Sequence, residues 1–139
     1  MQAGTGKIIV NDVGSSASVA REEVDVLTKG GNFGWPNVEG TVKTRGYTDP
    51  IFAYRHNAHG SGAITGGTFY SGRGLGRKFN GKYFFSDYIQ EFISVLDPDT
   101  GAVSKFATGA DTPLDLDQAP DGGLYYLSAG GAVHEIVLA

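Results

Sequence analysis

Two histidines and an arginine stand together in Arg55-His56-Asn57-Ala58-His59-Gly60. Imidazoles exchange protons near neutral pH and ligate transition metals, and Arg55 adds a fixed positive charge. His-x-x-His on a loop supplies only two of the three or four ligands a zinc centre needs. The competing reading is therefore a polar loop with hydrogen-bonded rings. Trp35, the single tryptophan, lies within Asn32-Phe33-Gly34-Trp35-Pro36. Its indole can stack on a flat ligand or fill apolar space between packed elements. Asp87 and Tyr88 close a β-rich run, where they can face a ligand, or where the carboxylate accepts backbone N–H bonds in a turn. Trp35, Arg55, His56, His59, Asp87 and Tyr88 are the candidate pocket residues.

Other chemistry fits the residues less well. Asp111, Asp115, Asp117 and Asp121 invite a calcium reading, but their spacing lacks the glycine at position six and the terminal glutamate of an EF-hand loop. Alternation along Leu114-Asp115-Leu116-Asp117 puts both aspartates on one strand face, while Asp121 belongs to a hairpin turn, so no metal ligands are assigned. Gly72-Arg73-Gly74-Leu75-Gly76 is followed by no helix whose N-terminus would receive a phosphate, and it reads as a slack connection. Ser61 lies near His59 without the surroundings of a nucleophile elbow. The chain has no cysteine, which removes thiol catalysis and disulfides. No catalytic residue is assigned.

The elements that must position these residues are strands. Glycine reaches 22 of 139 residues, beside eight phenylalanines and seven tyrosines. Glycine serves tight turns and aromatics favour pleated sheets, so the mixture predicts many short strands. Ten runs qualify: Lys7–Val13, Glu23–Thr28, Pro50–Arg55, Ala63–Tyr70, Lys82–Tyr88, Phe92–Asp97, Ala102–Ala107, Pro113–Gln118, Leu124–Ser128 and Ala132–Leu138. Turn clusters such as Asp97-Pro98-Asp99-Thr100-Gly101 and Ala119-Pro120-Asp121-Gly122 separate them.

The chain also repeats. Gly81–Tyr88 lines up with Gly122–Ala129 at an offset of 41 residues and with Gly6–Val13 at an offset of 75. A period near 40 with several strands per unit is the pattern of propeller blades. The extra length falls in the glycine-rich stretch Lys29–Asp49, which predicts a long functional or packing loop. The expected fold is all-β, with about 2.5–3 four-stranded β-propeller blades that make up part of a six-bladed propeller. The blades are placed at about residues 6–55, 63–107 and 113–138. The first lacks its first strand and the last its fourth.

Net charge is −4 and the basic residues are scattered, which argues against nucleic-acid binding. No apolar run approaches the roughly 20 residues that span a bilayer. Met1–Gly6 lacks the charged and apolar regions of a signal peptide and reads as a start within something longer.

Five segments occur here in a characteristic order: Gly30-Gly31-Asn32-Phe33-Gly34-Trp35-Pro36, Asp49–Tyr54, Ala63–Tyr70, Gly81–Tyr88 and Ala119–Tyr126. In that order and spacing the chain resembles the C-terminal portion of the glucose/sorbosone dehydrogenase family. The resemblance implies a six-bladed propeller, exported bacterial relatives of periplasmic or secreted location, and sugar oxidation with pyrroloquinoline quinone (PQQ) and calcium. It also implies two departures. The family's catalytic histidine belongs to a region with no counterpart here. The Arg-x-Arg-Asp motif that quinone-binding members carry before the Pro-Asp-Gly turn is replaced by Thr112-Pro113-Leu114-Asp115. Without those guanidinium groups a triply acidic cofactor loses its counter-ions. The expectation is a fragment of a sugar-dehydrogenase-like propeller that is not catalytically competent alone. The alternative is a non-enzymatic, self-assembling module that binds a small sugar-like ligand or a partner protein. The 3-4-3 strand count leaves open edges and uncovered faces, and predicts a homodimer that completes the ring.

Overall fold

The computed structural model describes residues 1–17 and 19–138. All ten predicted strands are present. They are β1 (Ile9–Asp12), β2 (Arg21–Val26), β3 (Phe52–Arg55), β4 (Ile64–Phe69), β5 (Tyr83–Asp87), β6 (Phe92–Leu96), β7 (Val103–Thr108), β8 (Pro113–Gln118), β9 (Leu124–Ser128) and β10 (Val133–Ile136). No α-helix forms among the described residues, and the one helical turn is the 3₁₀ segment Arg77–Phe79, which no periodicity announces. The strands make three antiparallel sheets in chain order: β1-β2-β3, β4-β5-β6-β7 and β8-β9-β10. The 41-residue offset maps β5 residue for residue onto β9, each the second strand of its sheet. The 75-residue offset lands on β1, which opens a three-stranded sheet.

The chain divides into two compact units, Met1–Ile64 and Thr65–Ala139. In the first, β1 pairs with β2 so that Asp12 faces Glu23 and Val10 faces Asp25, and β2 pairs with β3 from Arg21–Arg55 to Val24–Phe52. The long connection between β2 and β3 is tied down by its own polar groups. Asp49 Oδ1 accepts from the N–H groups of Val42 and Lys43 at 3.0 and 3.1 Å, and Thr48 N–H donates to Asn32 O at 2.7 Å.

In the second unit, β5 and β6 are buried on both faces, as befits inner strands of a sheet covered on both sides. Tyr70, Leu75, Phe84, Ile93, Val95, Ala110, Leu116 and Leu124 form its apolar core. Strand β4 lies against β8. A Cβ at Gly66 would meet the Asp115 Cα at 2.6 Å, and Thr65 Oγ1 donates to Pro113 O at 2.7 Å. Only a residue without a side chain permits that backbone approach.

Two local expectations change. The 72–76 connection is pinned rather than slack, because Leu75 is buried and its N–H donates to the Tyr70 hydroxyl at 2.9 Å. Along β8 the alternation is broken by a bulge between Pro113 and Asp115, which turns Leu114 out to solvent while Leu116 stays in the core.

Phe84 is fully buried, with the rings of Phe106, Phe79 and Tyr70 centred 5.2, 5.7 and 5.9 Å away. Phe84→Ala is expected to lower stability by about 3–5 kcal/mol, the range for a large aromatic truncated in a packed core. Urea denaturation followed by circular dichroism checks this.

Candidate functional site

Strand β2 reads Arg21-Glu22-Glu23-Val24-Asp25-Val26, an alternation that would ordinarily send its acids to one solvated face. Instead Glu22, Glu23, Val24 and Asp25 are all buried. A buried carboxylate is costly unless hydrogen bonds or opposite charge replace its water, so each acid's partners are informative.

Glu22, wholly inaccessible, is well supplied. His56 Nε2 lies 2.7 Å from Glu22 Oε1, and the Ile64 N–H donates to Glu22 Oε2 at 2.8 Å. His56 Nδ1 faces Gly60 O at 3.1 Å. Both ring nitrogens thus face oxygens, one on the carboxyl of Glu22 and one on the backbone of Gly60. The clamp holds the loop after β3 to the centre of the sheet and uses up both functional ends of His56.

Glu23 and Asp25 project from the opposite face of β2, across from Asp12. Glu23 Oε1 accepts from the N–H of Gly40, a buried residue at φ 80°. Burial nonetheless holds the Glu23 carboxyl above its ordinary value against that hydrogen bond, and the charges of Asp12, Glu39 and Glu22 add to the rise. Asp25 is 2 % exposed and its Oδ1 has no hydrogen-bond partner. Burial first, then the charges of Glu23 and Asp12, push its carboxyl up to about 7. Ligand-capable oxygens of Asp12, Glu23 and Asp25 lie within 4.8 Å of one another, the one such group of three among the described residues.

Asp12 and Glu23 border a recess of about 10 Å³, also lined by Gly14, Arg21, Phe33 and Trp35. That is room for one water or ion, far below the several hundred Å³ of a pocket for a small organic ligand. The Arg21 guanidinium does not neutralise the acids, because its Nη1 donates to the Val19 and Ala20 carbonyls at 2.7 and 3.1 Å.

The candidate pocket residues do not share one site. Trp35 is 62 % exposed at the rim of this recess, so within this chain it fills no apolar core. His56 is withdrawn into the clamp, whereas His59 and Arg55 are exposed, and among the described residues neither histidine joins a group of three metal-ligand side chains. In the second unit Asp87 is buried and acts within a turn, its Oδ1 accepting from the N–H groups of Ile89 and Gln90 at 2.9 and 2.6 Å, while Tyr88 is partly exposed beside it. The four aspartates from 111 to 121 accept hydrogen bonds: Asp111 from the Ser128 hydroxyl 17 residues on, and Asp115, Asp117 and Asp121 from the nearby N–H groups of Leu116, Gln118 and Gly123. The acidic group the sequence reading missed was signalled by three acids within four residues of β2, at 22, 23 and 25.

Three comparisons place this geometry among known proteins. The family model described as Glucose / Sorbosone dehydrogenase matches residues 1–134. The HIPL2 protein of Arabidopsis thaliana is 30 % identical over 125 residues, covering 73 % of this chain and 18 % of that protein. The soluble aldose sugar dehydrogenase of Escherichia coli superposes with a TM-score of 0.74 at 19 % identity, covering 97 % of this chain and 42 % of its own. A solved glucose dehydrogenase gives a TM-score of 0.77 at 18 % identity, covering 99 % and 43 %. At such identities the structural likeness shows the fold: these are propeller blades, and the chain spans about two fifths of the length of its solved relatives.

Burial makes stability depend on pH in a definite sense. Asp25 binds its proton more tightly folded, at about 7, than at the ordinary value of 3.8. Its contribution is therefore fully present below about 4 and is lost as the pH rises through about 7. In metal-free buffer the chain is expected to become less stable across that window, and Asp25→Asn to flatten the slope. Thermal unfolding at a series of pH values checks both.

Proposed function

Because the chain belongs to the glucose/sorbosone dehydrogenase family, we propose that its 139 residues form a blade segment of a sugar-dehydrogenase-like propeller that on its own neither binds the quinone nor oxidises a sugar. The observation that carries this reading is the charge around β8 and β9. At Thr112–Asp115 there is no cation, Pro113 is buried, and Leu114 is turned out by the bulge. The adjoining surface concavity, lined by Asp115, Asp117, Tyr125 and Leu127, is acidic. Pyrroloquinoline quinone carries three carboxylates, so these residues oppose it rather than fit it. Calcium is another matter, since hard carboxylate oxygens suit it, and Asp12, Glu23 and Asp25 would be the residues to hold it.

Titrating the purified chain with pyrroloquinoline quinone in millimolar calcium, followed by dye reduction with several aldoses, tests the reading. Cofactor fluorescence is expected to show no binding below the micromolar range, and no aldose to reduce the dye. A sub-micromolar dissociation constant would overturn it.

A second reading, self-assembly, is favoured by a specific surface. Along and beyond β10, Val133 and Val137 are each 69 % exposed and Leu138 is 49 % exposed, beside a concavity lined by Phe106, Tyr126 and Ile136. An outer strand bearing aliphatic side chains invites another strand. We propose that two copies meet through it head to tail about a two-fold axis and complete a six-bladed ring, in preference to a small sugar-like ligand or an unrelated protein partner. Multi-angle light scattering is expected to give twice the 14.6 kDa chain mass. A stable folded monomer at micromolar concentration would exclude this assembly.

A further inference from the structure

Resting on the self-assembly reading, we propose that Trp35 of one copy seats in the outer face of β8–β10 of the other. Basic residues of the first unit and acids of the last sheet set this pairing. Three observations converge on it. The first is an apolar anchor left in water. Trp35 is 62 % exposed, yet its segment is fixed. Gly34 O accepts from the N–H groups of Asn37 and Val38 at 2.8 and 3.2 Å, and Gly34 N–H donates to Asn32 Oδ1 at 3.0 Å. A large indole held out on a hydrogen-bonded turn loses little further freedom when it docks, which is the property of a binding anchor.

The second is a receiving surface. Strand register places Asp115, Leu127 and Val133 in one row across β8, β9 and β10, and Asp117, Tyr125 and Glu135 in the next. Side chains alternate between the two faces of a strand, so these six share the face opposite Leu116, Leu124 and Ile136. Leu116 and Leu124 belong to the apolar core, whereas Leu127 and Val133 on the other face are exposed. Asp115, Asp117, Tyr125, Leu127 and Val133 border a hollow of about 160 Å³. That is below the roughly 300–1,000 Å³ of a pocket for an organic ligand, and it suits one protruding side chain.

The third is charge. From Phe106 to Ala139 the sequence holds five acids, Asp111, Asp115, Asp117, Asp121 and Glu135, and neither lysine nor arginine. All five acids are exposed. In the first unit the exposed cations are Lys29, Lys43, Arg45 and Arg55, and Asp12 is the one exposed acid among the described residues. Lys43 and Arg45 lie on the stretch that brings Tyr47 beside Trp35's turn, where a Cβ at Gly34 would stand 3.3 Å from the Tyr47 ring. Opposite charge around an apolar contact orients two surfaces and disfavours the pairing of either surface with itself. It therefore selects last sheet against first unit, the head-to-tail contact, and a two-fold axis lets that contact occur twice and close. Trp35 then fills space between packed elements after all, in the neighbouring copy.

Trp35 is the only tryptophan, so its emission reports this contact directly. Dilution of the full-length chain through the dimer dissociation constant is expected to move the emission from a buried-type to an exposed-type spectrum. The change should keep step with the loss of dimer mass in sedimentation velocity, and high salt should weaken the dimer. Trp35→Ala should raise the dissociation constant at least about thirtyfold. Asp117→Lys with Glu135→Lys, and separately Lys43→Glu with Arg45→Glu, should each give a monomer that circular dichroism shows to be folded. Mixed in equal amounts, these two variants should dimerise again. Each alone sets like charges together at both contacts of the ring, whereas the mixed pair joins opposite charges at both. A parent dimer whose emission stays exposed-type, charge variants that still dimerise alone, or a mixture that stays monomeric would overturn this contact and leave self-assembly standing. A monomeric parent would overturn both.

Discussion

The first unit is organised by the need to satisfy carboxylates on its central strand. Glu22, Glu23 and Asp25 are taken out of water together, and an ionised acid in an apolar setting is tolerated only with hydrogen bonds or opposite charge around it. From this follow the placement of His56 and of the Ile64 amide on Glu22, and the approach of the glycine at position 40 to Glu23. The loop between β3 and β4 and the end of the 37–40 segment are held by polar contacts to one strand rather than by apolar packing. A histidine that the sequence offers as a pocket candidate is thereby held in a structural clamp.

The second unit obeys a different constraint. Its inner strands β5 and β6 are covered on both faces, and its aromatic residues do the covering. Phe84, Phe79 and Phe106 meet in tilted and edge-on pairs, with Tyr70 closing the cluster and anchoring Leu75 and Gly122 through its hydroxyl. Such pairs add directional preference to area burial, which suits a blade whose neighbours must stack in a fixed register. The glycines at 66 and 72 serve the same end by letting backbones approach where a Cβ would collide.

Repetition with variation explains how one architecture carries different chemistry in successive blades. The residue at the matching strand end of each repeat is Asp12, Asp87 or Ser128. Two of the three close a turn, and the third, beside acids contributed by β2, faces a small recess. The fold sets where the side chain stands, and the local neighbours set what it does.

The strands, their antiparallel meander and the count of three, four and three were legible in the sequence, because period-two patterning, turn residues and a 41-residue repeat are local signals. The turn role of Asp87 was legible for the same reason, being a bond to amides two and three residues on. The fate of His56 was not, since its partner Glu22 is 34 residues away and strand pairing alone brings them together. Nor was the burial of Glu23 and Asp25, because alternation says which residues share a face and not which face is covered. The outward turn of Leu114 rests on a bulge whose register is fixed by β9. Composition and spacing determine the elements and their order. Which polar groups meet, and which are shut away from water, is decided by contacts between residues far apart in the chain, whose energies exist only once the sheets have formed.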